Sequence, residues 1–293
     1  MKYFLYLHIS ILLAGFTGVA GKLIQLREGV MVWYRMLFTV LLLILISLCS
    51  RNFPQSDKKR IFRMMGVGFL LAVHWLFFFG SIKASNVSVG VVCYALIGFF
   101  SALLEPLFLK RKFSWLELGF SLITIAGILL LFTLDFRYRL GIILGSISTL
   151  FAALFTIGSK SEGRFVPAWT LLFYEMLGGF LGLSCLMPLY LWYFSGLQLI
   201  PSGMDFGYLL LLAFFCTIGL YWFQIRALAG VSAFTVNISY NLEPVYSIIL
   251  AMILFQEHHE LSWSFYLSLF LIISAVGGQS IRTWLLEKKK AGS

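Results

Sequence analysis

The chain has 293 residues, of which 60% are apolar and only 12% are charged. Soluble globular proteins carry about 25% charged residues, so this composition excludes a water-soluble globular domain and indicates an integral membrane protein. The net charge of +10 does not require a nucleic-acid partner, because the positions of the lysines and arginines relative to the apolar segments account for it.

Apolar runs of about 20 residues recur along the whole chain, and each is long enough to cross a bilayer as a helix. The runs lack the two-residue alternation of membrane β-barrel strands. The first run resembles a signal peptide, but it is longer than a typical signal core and has no clear cleavage site, so we expect it to be retained. We therefore predict an all-α integral membrane protein with ten transmembrane helices, over about residues 4–21, 30–49, 64–82, 87–109, 115–134, 140–158, 166–191, 206–225, 233–255 and 261–281.

The basic residues are distributed unequally between the two sides of this predicted topology. With a cytoplasmic N-terminus, sixteen lysines and arginines lie on the cytoplasmic side and five on the outer side, namely Lys22, Arg27, Lys83, Arg137 and Arg139. The positive-inside rule therefore predicts that both termini are cytoplasmic. Membrane lipid is the expected surrounding partner, and the basic side suits anionic headgroups.

Short stretches of the first half of the chain recur in the second half at a nearly constant spacing. "NVSVGVV" at 86–92 aligns with "GVSAFTV" at 230–236, and "WYRM" aligns with "FYEM". We predict two five-helix repeats, residues 1–137 and residues 138–293. Because five is odd, the second repeat enters the membrane in the opposite sense. Such inverted repeats place the substrate site between them, near the bilayer midplane.

Glycines occur at the spacing that lets membrane helices approach closely. Gly141 with Gly145, and Gly178 with Gly182, form G-x-x-x-G pairs. We expect these pairs to pack helices within one chain, and dimerisation is the alternative. The oligomeric state is therefore left open between a monomer and a homodimer.

The ninth predicted span contains a helix-breaking residue next to polar side chains. Pro244 has no backbone N–H, so the carbonyl of Tyr240 loses its helical partner and a hinge is expected. A break at membrane depth is tolerated only where protein or a watery cavity satisfies the freed group. Asn237 and Asn241 lie four residues apart on one helical face, beside this break. Glu243 is about ten residues, roughly 15 Å, from the cytoplasmic start of the span, which is close to the midplane.

These residues form the predicted substrate and coupling site. We predict that Glu243 exchanges a proton for cargo, while Asn237, Tyr240 and Asn241 hold polar cargo atoms. The alternative is a protonated Glu243 that only hydrogen-bonds a neighbouring helix.

Three further ionisable residues fall inside predicted spans, where a charge costs at least about 2.5–3.5 kcal/mol on insertion scales. Arg35 either snorkels to the outer headgroups or provides a cavity cation for an anionic cargo group. Glu175 lies too deep to snorkel and aligns with Arg35 in the repeat, so we predict that both face the central cavity. His74 is either a hydrogen-bonded packing residue or a functional group.

Four stretches resemble the EamA branch of the drug/metabolite transporter superfamily. They are "YRMLFT", "GSIKASNVSVGVV", "LLEPLFLKRKFSW" and "AGVSAFTVNISYNLEPVYSIILAMILFQE". The resemblance extends over essentially the whole chain. It implies a transporter fold of two inverted five-helix bundles that moves small metabolites across the bacterial inner membrane, often outward. Members differ widely in substrate, so the resemblance names no cargo.

We therefore expect a secondary active transporter that exports an amino acid-like or amphipathic small molecule by alternating access. A proton is the expected coupling ion, and neither a cofactor nor enzymatic activity is expected. An intramembrane enzyme would need a clustered catalytic set, and a membrane sensor or scaffold would need a soluble domain or a long loop. The sequence offers neither. At "EHHE", residues 257–260, a metal site is the weaker alternative to a solvated loop.

Overall fold

The computed structural model describes residues 2–109, 115–134, 136–228, 242–259 and 261–291, and within these ranges all regular structure is helical. The α-helices are α1 (Lys2–Leu23), α2 (Glu28–Ser50), α3 (Lys58–Ala84), α4 (Val87–Cys93), α5 (Ile97–Leu109), α6 (Trp115–Leu134), α7 (Arg139–Glu162), α8 (Ala168–Tyr193), α9 (Gly203–Ala213), α10 (Leu220–Leu228), α11 (Glu243–Phe255) and α12 (Trp263–Ala291). Three short 3₁₀ turns, Tyr94–Leu96, Phe136–Tyr138 and Glu257–His259, and one π-helical turn, Phe214–Gly219, complete the described elements.

Most of these helices match the apolar runs of the sequence. Within the described ranges, seven helical stretches are long and apolar enough to cross a bilayer: α1, α2, α3, α4–α5, α7, α8 and α9–α10. Shorter apolar stretches lie in α6, α11 and α12, over residues 121–130, 245–255 and 263–275. The chain is therefore an all-α, multi-pass membrane protein, and the number of ten spans stays a prediction.

Two of the spanning stretches are interrupted by tighter or wider turns. The 3₁₀ turn Tyr94–Leu96 joins α4 to α5, and the π-helical turn Phe214–Gly219 joins α9 to α10. In the π-helical turn the hydroxyl of Thr217 donates to the carbonyl of Leu212, at 3.0 Å. Single π-helical turns inside α-helices are frequent at functional sites.

Several of the contacts between helices have a counterpart when the first five apolar stretches are exchanged with the last five. α3 packs against α7 and α8, while α1 packs against α10 and α2 packs against α9. α4–α5 contacts α7, and α1 correspondingly contacts α11. The pairs α2–α8, α4–α11 and α6–α12 each map onto themselves under this exchange. Two equivalent halves would produce this contact pattern.

The backbones of α3 and α8 touch where glycines cross. A Cβ atom added to Gly68 would overlap the backbone carbonyl of Glu175, and one added to Gly178 would overlap the backbone of Met65. A Cβ atom on Gly179 would come within 2.6 Å of the Met36 sulfur. The small residues therefore bring α2, α3 and α8 together around the segments that carry Arg35 and Glu175.

Candidate functional site

The guanidinium of Arg35 lies inside the helix bundle. Arg35 is only 1% exposed, and its guanidinium carbon lies 3.6 Å from the centroid of the Trp75 ring. Its Nη2 donates to the Cys216 carbonyl at 3.1 Å. Nη2 and Nε also donate to the Thr217 hydroxyl oxygen, at 3.0 and 3.2 Å. Arg35 on α2 is thus held by α3 on one side and by the π-helical turn on the other.

The π-helical turn supplies acceptors that face Arg35. The Thr217 hydroxyl gives its own hydrogen to the Leu212 carbonyl, so its oxygen lone pairs are free to accept from the guanidinium. Both acceptors of Arg35, the Cys216 carbonyl and the Thr217 hydroxyl, are neutral. Among the described residues, the arginine therefore donates hydrogen bonds to neutral groups and has no compensating negative charge.

One nitrogen of the guanidinium has no acceptor in the described part of the chain. Nη1 of Arg35 is buried and makes no hydrogen bond there, and no carboxylate among those residues forms an ion pair with Arg35. Complete burial does not fit snorkelling to the headgroups, because a snorkelling guanidinium reaches water at the interface. The hypothesis that Arg35 is a cavity cation for an anionic cargo group stays a prediction.

Glu175 is also buried, at 2% exposure. Its Oε1 accepts a hydrogen bond from the hydroxyl of Ser159 on α7. The described residues contain no ion pair that joins Glu175 to Arg35 or to another cation. The structure thus brings both residues into the bundle interior but does not pair them. Their mirrored placement in a common cavity stays a prediction.

His74 ties α3 to α7 through Ser148. Its Nδ1 lies 2.8 Å from the Ser148 hydroxyl oxygen and 3.0 Å from the Ser148 carbonyl oxygen. The hydroxyl donates in turn to the His74 carbonyl at 3.0 Å. A carbonyl can only accept, so this arrangement assigns the proton to Nδ1. The contact is that of a hydrogen-bonded packing residue, which was one of the two interpretations of His74.

The predicted site in the ninth span is only partly within the described residues. Asn237, Tyr240 and Asn241 lie outside them, and so does the hinge predicted at the Tyr240 carbonyl. α11 begins at Glu243, with Pro244 in its first turn, where a missing N–H removes no helical hydrogen bond. The Glu243 side chain is half-buried, and none of the described residues donates a hydrogen bond to it.

Glu257 belongs to a polar network that sequence reasoning missed. Its side chain is 0% exposed and accepts from Lys22 Nζ at 2.8 Å and from the Ser88 hydroxyl at 2.7 Å. It also accepts from the backbone N–H groups of Val87 and Ser88, at 2.9 and 3.0 Å. Burial alone would raise the pKa of the Glu257 carboxyl, but the bonds from Lys22, Ser88 and Val87 outweigh burial and hold this pKa below its ordinary value.

The solvated-loop interpretation of residues 257–260 is therefore wrong for Glu257. The partners of this carboxylate lie 235 and 169 residues away in the chain, so no local pattern could have identified them. His258 and His259 are exposed. Among the described residues, no group of three or more His, Cys, Asp or Glu side chains is placed to hold a metal ion.

A second polar connection lies on the same predicted outer face. Lys83 Nζ at the end of α3 donates to the carbonyls of Ile24 and Leu26. Asp205 in the first turn of α9 accepts from the Gln25 backbone N–H at 2.7 Å. The connection between α1 and α2 is thus held by both α3 and α9. Together with the Glu257 network, these bonds join helices from both halves of the chain across one face.

On the opposite face, polar contacts among the described residues also join separate helices. Glu162 at the end of α7 forms ion pairs with Arg60 at 3.3 Å and Arg63 at 3.7 Å. The Tyr174 hydroxyl donates to the Pro54 carbonyl at 3.1 Å.

An apolar cavity of about 270 Å³ lies between α8 and α9–α10. It is lined by Ala168, Trp169, Leu172, Ile218 and Trp222.

Comparisons with known proteins agree with this architecture. A solved crystal structure of a protein resembles the chain with a TM-score of 0.60 at 17% identity, over 94% of this chain and 96% of that chain, which shows the fold alone. No curated protein matches the sequence. The EamA-like transporter family matches residues 1–133 and again residues 139–279. The resemblance seen in the sequence is thereby confirmed: the chain belongs to the EamA-like transporter family, whose members are membrane transporters of small compounds.

Proposed function

We propose that the protein is a secondary active transporter that exports a small metabolite across the bacterial inner membrane. The cargo is an amino acid-like or amphipathic compound, and the mechanism is alternating access. The observation that carries the proposal is the burial of Arg35 and Glu175 inside spanning helices, without an ion pair to any described residue. Ionisable groups at membrane depth are costly and mark substrate or ion pathways.

Alternating access requires that one face of the bundle is closed while the other opens. The bonds of Glu257, Lys83 and Asp205 supply a polar closure on the predicted outer face. When the face opens, water can replace these partners, and the net contribution of a single hydrogen bond is modest because bonds to water take its place. Such a closure can therefore open without disrupting the apolar core.

Proton coupling is assigned to Glu243. Its carboxyl is half-buried at the start of α11 and accepts no hydrogen bond from the described residues, so its protonation state is not already committed to a described partner. Glu175, in contrast, is held by Ser159. A carboxyl that carries either a proton or its charge at different steps can couple proton movement to cargo movement.

The test is a transport screen on proteoliposomes with defined pH on each side. We expect a pH gradient to drive accumulation of at least one small metabolite, and we expect Glu243→Gln to abolish this pH-driven accumulation. The variant should still catalyse exchange of labelled for unlabelled cargo, because glutamine preserves the shape of the side chain. Glu175→Gln is the comparison variant, because it removes a different buried carboxyl.

These measurements distinguish a proton-coupling role of Glu243 from a structural role. If Glu243→Gln transports with unchanged pH dependence, Glu243 is structural and the proton pathway lies elsewhere. If Glu175→Gln alone loses the pH dependence, the coupling role belongs to Glu175. A protein that moves none of the screened metabolites under any gradient would contradict the transporter proposal itself.

A further inference from the structure

We propose that Arg35 is an anion subsite that binds a single carboxylate group of the cargo through its free Nη1 nitrogen. This inference rests on the proposed transport function and names a chemical class for its substrate. It starts from the one buried side-chain nitrogen of Arg35 that has no acceptor in the described structure.

The charge of Arg35 is the first argument. The guanidinium is buried, stacks on Trp75, and within the described ranges donates hydrogen bonds only to a carbonyl and a hydroxyl. The carbonyl and hydroxyl oxygens accept hydrogen bonds from the guanidinium, but neither group carries a negative charge. A buried charge is normally paired. The missing counter-charge is therefore expected from a ligand.

The pattern of satisfied donors is the second argument. An arginine that only tied α2 to the π-helical turn would be expected to use all of its buried donors. Arg35 instead uses Nε and Nη2 for Thr217 and Cys216, and keeps the two N–H groups of Nη1 unused. The bonds to the turn and the stacking on Trp75 fix the direction in which Nη1 points. Such positioning is what a binding group needs.

Only one nitrogen of Arg35, Nη1, is without an acceptor in the described structure, and this indicates a carboxylate rather than a phosphate. One nitrogen with one unit of charge matches a small monoanion. A phosphate dianion would require further donors or a second cation. The rings of Trp75 and Phe79, at 3.6 and 5.8 Å from the guanidinium carbon, add apolar surface beside the nitrogen. A carboxylate attached to an apolar or aromatic body fits these surroundings.

The experiment is ligand-induced stabilisation of the purified protein in detergent. The probes are a panel of amino acids, hydroxy acids and aromatic acids, each paired with its neutral amide, together with inorganic phosphate. We expect at least one acid to raise the melting temperature at millimolar concentration, and its amide to give no comparable shift. Arg35→Gln should weaken binding of that acid more than tenfold.

Two further variants keep the test decisive. Arg35→Lys retains the charge but loses the planar fork, so it should bind the acid more weakly than wild type and more tightly than Arg35→Gln. Arg226→Gln is the matched control, because Arg226 also stacks on a tryptophan, Trp222, at 4.2 Å, but is exposed. It should leave the shift unchanged. If Arg35→Gln does not fold, the same comparison is made between Arg35→Lys and wild type.

Several outcomes would overturn the inference. These are stabilisation by no acid of the panel, equal stabilisation by acid and amide, stabilisation by phosphate alone, or an undiminished acid shift in both Arg35 variants. The measurement needs no transport, so the two proposals can fail separately. Acid binding without movement of that acid in proteoliposomes would count against transport, whereas movement of neutral compounds without acid binding would count against the subsite.

Discussion

The carboxylate of Glu257 connects three distant parts of the chain at the predicted outer face. It binds Lys22 at the end of α1, and Val87 and Ser88 at the start of α4, while it is itself part of the turn after α11. Charge-assisted hydrogen bonds of this kind contribute about 1.5–3 kcal/mol each when they are buried. Because Lys22 is 30% exposed, its ion pair contributes at the lower end of this range.

We predict that Glu257→Gln lowers the free energy of unfolding by about 1–3 kcal/mol. Glutamine keeps the size of the side chain but removes the negative charge that faces Lys22. The measurement is thermal unfolding of purified protein at neutral pH. Asp57→Asn is the control, since Asp57 is an exposed helix cap that accepts from the Arg60 backbone N–H at 3.0 Å. It should lose less stability, and a larger loss there would contradict the burial argument.

The same carboxylate predicts a pH dependence of stability. The pKa of Glu257 is below its ordinary value, so the folded protein releases this proton more readily than the unfolded chain does. Its contribution is therefore present above the unfolded pKa of about 4.3 and is lost as pH falls through the folded pKa. The hydrogen bond from the Arg60 backbone likewise lowers the pKa of Asp57, so acid affects both groups in the same direction.

The contribution of Glu257 is isolated by comparing two proteins at each pH. We expect the stability difference between wild type and Glu257→Gln to be constant near neutral pH and to shrink as the pH falls below about 4. The measurement is the melting temperature of both proteins from pH 7 to pH 3. A difference that does not change over this range would mean that the charge of Glu257 does not stabilise the fold.

The crossing of helices α3 and α8 depends on a glycine, Gly68, which has no side chain. A Cβ atom at Gly68 would overlap the Glu175 backbone, whereas a Cβ atom at Gly66 of the same helix would have no atom within 4 Å. We predict that Gly68→Ala destabilises the protein by about 1–3 kcal/mol or more through overpacking. Gly66→Ala should be neutral or stabilising by up to about 1 kcal/mol. Melting temperatures of the two variants check this, and equal values would contradict the crossing.

The sequence predicts individual helices better than it predicts their interruptions. Apolar runs of bilayer length located the spanning stretches, because the bilayer itself sets their length and composition. The π-helical turn at Phe214–Gly219 was not predicted. It places Thr217 and Cys216 against Arg35, which lies 182 and 181 residues away in the chain. The G-x-x-x-G spacing likewise indicated close packing of Gly178 but not Met65 as its neighbour.

For the candidate site, the sequence located the ionisable residues but not their partners. The cost of a buried charge was enough to select Arg35 and Glu175 from the sequence, and both are buried. Their surroundings depend on helix packing that no local pattern records, so Trp75 and Ser159 were not identified as partners. For Asn237, Tyr240 and Asn241 the assignment to the cargo site rests on the sequence alone. Glu257 was missed because its short polar motif is typical of an exposed loop.

Several contacts between helices are those that two equivalent halves of the chain would form. α3 lies against α7 and α8, and α1 and α2 correspondingly lie against α10 and α9. In inverted-repeat transporters such exchange lets the two halves adopt each other's conformation, which opens the opposite face. The bonds of Lys22 to Glu257 and of Asp205 to the Gln25 backbone join the two halves of the chain, so the proposed movement would have to break them.

The topology of the whole chain can be tested by labelling one cysteine on each side. Ser56 follows α2 and Ser195 follows α8, and neither lies in a helix. Between them the chain passes through α3, α4–α5, α6, α7 and α8. If all five stretches cross the membrane, the two positions lie on opposite sides. If α6, which is not among the seven long apolar stretches, does not cross, four crossings place both positions on the same side.

We predict that Ser56→Cys is labelled only from the cytoplasmic side and Ser195→Cys only from the outer side. Ser56 is assigned to the cytoplasmic side because the predicted topology places most of the basic residues on the side that carries it. The background protein has Cys49 and Cys185, the two exposed cysteines in the described ranges, replaced by serine. A membrane-impermeant maleimide is applied to intact cells and then to inverted vesicles. Labelling of both positions from one face would mean an even number of crossings between them. That result would rule out the ten-helix topology and the inverted relation of the two halves.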